Sequence, residues 1–294
     1  MYAGFERGTS RRARTGLRDI LRYDPNNLDN RDPEFVMRAV DALEPSLRRL
    51  FDPHIYGLHR IPEGPGLYVG NHNGGLLAPD IFIMGLTLAR ELGLDQLPYG
   101  LAHELPLKWP GMGPMLMRLG AVRASHENAR KILDRGRKIL VYPGGDIDSM
   151  RPSRDRNKVI FGRRRGYIRL ALRESIPILP VVTAGAHSGW VVFSDGRGLA
   201  RALRVDRLLR VKVFPLVLSI PWGLTLGPPP PYLPVPTRVL QEFLDPIHFD
   251  RLGPEAAEDV EYVERCHLLV LHRMQRALLR LADERRKLGR WPGR

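Results

Sequence analysis

The sequence predicts an α/β fold in which a mostly parallel central sheet is flanked by helices, with a helical extension at each end. Two observations carry this. The apolar runs Leu67-Tyr68-Val69, Lys138-Ile139-Leu140-Val141-Tyr142 and Ile178-Leu179-Pro180-Val181-Val182 read as buried strands. Between them lie segments of helical spacing, one with Ala129, Ile132 and Leu133 on a face and one with Ile168, Ala171 and Leu172. Strands that alternate with helices pair in parallel, because each crossover helix returns the chain to the same end of the sheet.

Taken in order, residues 11 to 52 read as helical pieces bounded by Pro25, Pro33 and Pro45, since proline lacks the N–H a helix interior needs. Pro62-Glu63-Gly64-Pro65-Gly66 is a turn into the first strand. That strand delivers Asn71-His72-Asn73-Gly74-Gly75 to a loop, and Pro79-Asp80 then open a helix that runs to Arg90. The stretch from Leu105 to Leu119 is rich in Pro, Gly and Met, which argues against a regular helix before Gly113. Ser125 caps the next helix and Gly136 closes it. The second strand ends in Pro143-Gly144-Gly145. After Gly185 the pattern weakens, and Pro228 to Pro231 read as a stiff connection. Beyond Pro254 an amphipathic helix runs to Lys287, with Val263, Leu268, Val270, Leu271, Met274 and Leu278 as its apolar residues. The expected organisation is a helical extension over 1–52, an α/β domain over 53–250, and a C-terminal amphipathic helix over 251–294 packed on that domain.

Lys plus Arg number 46 against 32 Asp plus Glu, a net charge of +14 that favours an anionic partner: a phospholipid surface, nucleic acid or an acidic carrier protein. The single cysteine, Cys266, excludes an internal disulfide and fits a reducing compartment. The polar, basic start of the chain lacks the apolar core of a signal peptide. The apolar stretch from Ile81 to Leu88 is too short to span a bilayer, and the one from Val211 to Leu226 is broken by Lys212, Pro215 and Pro221. The expectation is a protein peripheral on the cytoplasmic face of a membrane, held by anionic lipid and by Trp109, Met112, Met115 and Leu116. The basic runs Arg11–Arg14, Arg163–Arg165 and Arg285–Lys287 read as solvated or lipid-facing, and no helix-turn-helix, zinc-finger or aromatic RNA-binding signature accompanies them.

His72 stands at a strand end, where functional loops usually sit. A carboxylate from Asp80 on one ring nitrogen would fix the tautomer and leave the other nitrogen as a base. The plainer account of Asp80 is a first-turn carboxylate favoured by the helix dipole, and the two roles are compatible. Elsewhere His54, His59, His103, His126 and His187 show no metal-ligand spacing. Ser149 lacks the Gly-x-Ser-x-Gly elbow, and Cys266 falls in a helical stretch where a buried thiol is commonplace.

Four segments share an order with a known family. Asn71-His72 followed by an aspartate resembles the Asn-His-x-x-x-x-Asp block of the glycerolipid acyltransferases. Gly120-Ala121-Val122-Arg123 resembles their second block. Val141-Tyr142-Pro143-Gly144-Gly145 resembles the third, Phe-Pro-Glu-Gly, and Ile176-Pro177-Ile178-Leu179-Pro180-Val181 the fourth. Two departures stand out. The common spacing puts the acid at Leu77, whereas it lies at Asp80, and Gly74 and Gly75 would have to accommodate the longer loop. The third block continues Asp146-Ile147-Asp148 where phosphate-acceptor members carry Thr-Arg. In this, and in Arg164-Arg165-Gly166-Tyr167, the chain is similar to the diacylglycerol acyltransferase and phytyl ester synthase branch, whose acceptors are neutral alcohols.

The resemblance implies transfer of a fatty acyl group from acyl-CoA or acyl-carrier protein to a hydroxyl of a lipid, with His72 as general base and Asp80 as its partner. N–H groups around Gly144 and Gly145 would stabilise the oxyanion, though a tight turn accounts for those glycines equally well. Arg123, Arg164, Arg165 and Asp148 would meet the acceptor or its phosphate, and neither metal nor redox cofactor is required. Two alternatives stay open: a lysophosphatidic acid acceptor, and a non-enzymatic lipid- or nucleic-acid-binding protein on the same fold.

Overall fold

The computed structural model describes residues 23–202, 213–227 and 232–289. The basic run at 11–14 and the proline run at 228–231 lie outside them. Seven strands make the central sheet: β1 (Pro53–Tyr56), β2 (Leu67–Gly70), β3 (Tyr99–Ala102), β4 (Ala121–Arg123), β5 (Ile139–Val141), β6 (Ile178–Ala184) and β10 (Val239–Phe243). Their order is β1-β10-β6-β2-β5-β3-β4. Every neighbouring pair is parallel except β10 with β6. The three expected strands are β2, β5 and β6, which sit together at the middle of the sheet. A strand covered on both faces reads as a continuous apolar run, and Leu67, Tyr68 and Val69 are all fully buried.

The helices are α1 (Pro33–Phe51), α2 (Pro79–Glu91), α3 (Glu104–Lys108), α4 (Met112–Arg118), α5 (His126–Asp134), α6 (Gly145–Ser149), α7 (Gly166–Arg173), α8 (Arg197–Ala202), α9 (Pro254–Glu258) and α10 (Val260–Lys287). Alternation along β2 sends Leu67 and Val69 to one face, against residues of α5, α7 and α10, and Tyr68 to the other, against α1 and α2. The C-terminal helix thus belongs to one layer of the sheet. Asp259 caps it, accepting from the Tyr262 N–H at 3.0 Å. Val263, Val270, Met274 and Leu278 face the core, while Leu268, expected on the apolar stripe, is exposed.

Three expectations are corrected. Pro45 bounds nothing: α1 runs through it, because Val36, Val40 and Phe51 bury one stripe along its length and Arg90 of α2 ties Asp41 and Glu44 beside the proline. The stretch before Gly113 is helical, as α3, with the His103 Nδ1 accepting from the Leu105 N–H. Its glycine lets α4 close on α3, since a Cβ on Gly113 would collide with the Leu107 carbonyl. Arg285 is neither solvated nor lipid-facing: it is buried, with Nε donating to the Arg238 carbonyl at 2.6 Å.

A second sheet, unforeseen in the sequence, is antiparallel: β7 (Val191–Ser194), β8 (Leu216–Ser219) and β9 (Gly223–Leu226). Its strands are four residues each; apolar residues recur on both faces of β7 and β8, and the alternation of β9 is too short to mark it. Val192 and Val217 pack inward with Met150, Trp190 and Tyr232.

Candidate active site

The loop after β2 is fixed by side chains that satisfy each other inside the protein. Asn71 Oδ1 accepts from the Thr183 N–H at 2.8 Å and its Nδ2 donates back to the Thr183 carbonyl at 3.0 Å, which staples the loop to the end of β6. Asn73 Nδ2 donates to the same carbonyl at 2.9 Å. Gly70 has no Cβ because the Tyr142 ring occupies that space, and this ring lies 4.7 Å from the His72 ring. Burial first, then the Asp80 charge, hold the Tyr142 phenol well above its ordinary pKa, so it stays protonated.

The three residues that lengthen the first block are absorbed by left-handed backbone. Gly74 (φ 82°) and Ala78 (φ 42°) flank a single 3-10 turn, Gly75–Leu77, that opens on Gly75 (φ 59°) and folds the chain back. Glycine is needed at 74 and 75 for space as well, since a Cβ would meet Pro79 at the first and Trp190 at the second. The excursion returns Asp80 to His72: Nδ1 and Oδ2 are 3.2 Å apart. Oδ2 also accepts from the Asn73 N–H at 3.2 Å, and Gln241 Nε2 holds the Asp80 carbonyl at 3.0 Å. Asp80 is fully buried while the His72 side chain keeps 17% of its surface. With Nδ1–H donated to the buried carboxylate, Nε2 is left with the lone pair.

Asp148 is where the structure departs most from the sequence. Expected at the acceptor, it is fully buried and faces the protein. Its Oδ2 accepts from the His72 N–H at 2.6 Å and its Oδ1 from the Ile160 N–H at 3.2 Å. Burial pushes this carboxyl up, and the Arg151 guanidinium, 3.1 Å away, opposes that most strongly. Arg151, which the sequence did not single out, is also fully buried. It donates to the His72 carbonyl at 2.7 Å, to Asn73 Oδ1 at 2.6 Å and to the Arg156 carbonyl at 3.0 Å. The pair therefore grips both backbone groups of His72. Behind it His187 Nε2 donates to the Arg151 carbonyl at 2.7 Å, and burial keeps that imidazole far below its usual pKa and neutral.

The remaining candidates separate. Arg164 clamps the Pro-Gly-Gly turn, donating to the Pro143 carbonyl at 3.1 Å and to Asp146 at 2.7 Å. Arg165 does not reach the site: its guanidinium forms a two-pronged pair with Glu264 of α10 at 2.6 and 2.9 Å. The Gly145 N–H donates to the Tyr142 carbonyl at 3.0 Å and is spent on the turn, whereas the Gly144 N–H has no acceptor among the described residues. Arg123 closes β4, the edge strand, three strands from β2 and so about 14 Å aside at the usual strand spacing. It shares the carboxyl end of the parallel strands with His72 and is partly exposed, 3.7 Å from Glu104. Cys266 is buried in α10. No group of three His, Cys, Asp or Glu among the described residues could hold a metal ion.

Residues 52–184, which contain this whole loop and its supports up to β6, match the family model described as Acyltransferase. Over those residues the chain is similar to the acyltransferases. Among curated proteins, an uncharacterized protein of Mycobacterium tuberculosis is 26% identical over 262 residues, spanning 87% of this chain and 69% of the relative. The DGAT1/2-independent enzyme synthesizing storage lipids of Mus musculus is 25% identical over 158 residues, 51% of this chain and 46% of that protein. A solved structure, the 1-acyl-sn-glycerophosphate (LPA) acyltransferase PlsC of Thermotoga maritima, aligns with a TM-score of 0.49 at 19% identity, covering 90% and 79% of the two chains. The acyltransferase blocks read from the sequence fall inside the matched residues, at the carboxyl ends of β2, β4 and β5 and along β6.

Proposed function

We propose that this acyltransferase moves a fatty acyl group from an acyl thioester, carried by coenzyme A or an acyl-carrier protein, to the hydroxyl of a neutral lipid at a membrane surface. The observation that carries the reading is the His72–Asp80 pair, a mostly buried imidazole that keeps some exposure, backed by a fully buried carboxylate despite the lengthened loop. His72 Nε2 takes the acceptor's hydroxyl proton as its oxygen attacks the thioester carbonyl, and Asp80 stabilises the imidazolium. The tetrahedral oxyanion collapses, the C–S bond breaks, and the thiolate leaves with the proton from His72. The Gly144 N–H is the donor at hand for the oxyanion, an interaction worth about 3 kcal/mol. Acyl transfer between a thioester and an alcohol is redox-neutral and calls for no cofactor beyond the donor itself.

A neutral acceptor is favoured by the cations this site lacks. Gly144 and Ile147 stand where phosphate-acceptor relatives carry Glu and Arg, and Arg164 and Arg165 are engaged with Asp146 and Glu264. The similarity to a storage-lipid-synthesizing enzyme points the same way. Membrane association on the cytoplasmic face is supported by the +14 charge and by exposed Trp109, just past the end of α3, and Met112 and Met115 on α4; Leu116 is half-buried. No described helix is long and apolar enough to cross a membrane.

Purified protein given labelled acyl-CoA or acyl-carrier protein, with equal monoacylglycerol, long-chain alcohol and lysophosphatidic acid, tests the proposal. Ester should form on the neutral acceptors. A preference for lysophosphatidic acid that Arg123→Ala removes would overturn the acceptor assignment. Lipid binding with no thioester turnover would support the non-enzymatic alternative.

A further inference from the structure

The small sheet departs from the usual antiparallel pattern, in which polar residues point to water. Along β8, Ser219 is buried beside Val217, and Thr225 of β9 pairs with Val217 on that same inner face. The outer face is mostly apolar, with Ser194 opposite Leu216 at one corner. Val191, Leu218 and Leu224 are cross-strand partners that form one unbroken exposed row. Phe193 and Leu226 flank the row on the same face, the latter 59% exposed. Past the end of β8, Ile220, Trp222 in the turn and Leu233, which bridges to Ile220, carry the apolar surface further; Trp222 is 50% and Leu233 65% exposed. A contiguous patch of this kind marks an interaction surface, where scattered exposed leucines would not.

The charge of the chain selects the occupant. By sequence, the chain joining β7 to β8 carries Arg197, Arg201, Arg204, Arg207, Arg210 and Lys212 against Asp195 and Asp206. A chain of net charge +14 with an exposed apolar face matches phosphate headgroups above acyl chains, and tryptophan is the residue that settles at that boundary. A second copy of the same face would bring like charges together. We infer that the outer face of β7–β9 is the surface by which this acyltransferase docks on an anionic bilayer; the inference rests on the membrane association proposed above and assigns it a contact. The inner face of this sheet backs on the catalytic loop. Trp190 and Tyr232 stack at 5.1 Å between them, Tyr232 donates to the Gly74 carbonyl at 2.7 Å, and Trp190 lies on Gly75. A bilayer against β7–β9 is therefore separated from the loop that carries His72 by this sheet and the Trp190–Tyr232 layer beneath it.

Flotation with phosphatidylcholine vesicles, with and without phosphatidylserine, tests this on the full chain. The wild type should bind the mixed vesicles, more weakly as salt is raised. Leu218→Thr/Trp222→Ser/Leu224→Thr keeps strand-forming residues in the two strands and should lower that affinity on the order of a hundredfold. Leu218→Val/Leu224→Val should bind as the wild type does, and Trp109→Ser/Met112→Ser should keep most of the affinity. If the triple variant does not fold, Leu224→Thr alone should still weaken binding several-fold. Wild-type binding that survives in the folded sheet variants, or a loss confined to Trp109→Ser/Met112→Ser, would overturn the assignment. A wild-type dimer that the sheet variants convert to monomer would do so too. A wild type that binds no vesicle would instead remove the membrane association on which the assignment stands.

Discussion

Asp148→Asn separates two accounts of one carboxylate. At the acceptor, its loss would raise the acceptor's KM and leave the fold alone. In the structure it accepts from the His72 N–H at 2.6 Å, the Ile160 N–H at 3.2 Å and Arg151 Nη1 at 3.1 Å, wholly out of water. An asparagine keeps one acceptor oxygen, turns a donor on one of these three donors, and leaves the buried Arg151 without its counter-charge. Removing one partner of such a pair costs about 3–5 kcal/mol. For a chain of this size each kcal/mol moves the melting point by about 2–4 °C, so a fall of roughly 10 °C is expected. Turnover measured well below both melting points should drop as the His72 backbone loosens, with acceptor KM little changed. Circular dichroism melts beside steady-state kinetics give both numbers. An unchanged melting point with a tenfold higher acceptor KM would refute the structural role and return Asp148 to the acceptor.

Gly75→Ala puts a Cβ into the Trp190 ring at a backbone φ of 59°, and urea unfolding should show a loss of about 2 kcal/mol or more, with slower transfer as the loop shifts. Stability should also fall on mild acidification. Burial lowers the folded pKa of His267 to about 4, so this group's contribution is complete above the unfolded value near 6.5 and is lost as pH falls toward 4. His267 then accounts for about 2 kcal/mol of the loss between pH 7 and 5, a share that should vanish from the pH slope of the melting point in His267→Phe. Asp80→Asn should cut turnover by about a thousandfold or more, because the amide no longer holds the imidazole in the productive tautomer; a decrease under tenfold in a folded variant would separate Asp80 from the base.

The parts of the fold that are legible in sequence are those where one physical demand dominates. β2, β5 and β6 are covered on both faces and so read as apolar runs, and α5 and α10 announce themselves through Ser125 and a long amphipathic stripe. β3 and β4 are too short to show a period, and β10 lies antiparallel beyond a stretch with no pattern. β7 and β8 were invisible for a different reason: apolar residues on both faces erase the alternation that signals a half-buried strand, while β9 alternates for only four residues. In the site, His72, Asp80 and the two glycines that bend the chain between them could be named, because a strand end and a left-handed turn leave residue-type signatures. Arg151 could not, since an arginine between Met150 and Pro152 looks like any solvated charge until burial is known. The same blindness sent Asp148 and Arg165 to the acceptor, when one staples the His72 backbone and the other holds α10.

The central claim is that His72 is the base that activates the acceptor hydroxyl. Thiol release from acyl-CoA, or from acyl-carrier protein if that is the donor used, followed with and without a neutral lipid alcohol, measures it in wild type and His72→Ala. The account predicts acceptor-dependent thiol release in the wild type and a loss of about a thousandfold in His72→Ala at an unchanged melting point, the range expected for removing a positioned base. A folded His72→Ala protein that releases thiol at the wild-type rate would contradict it.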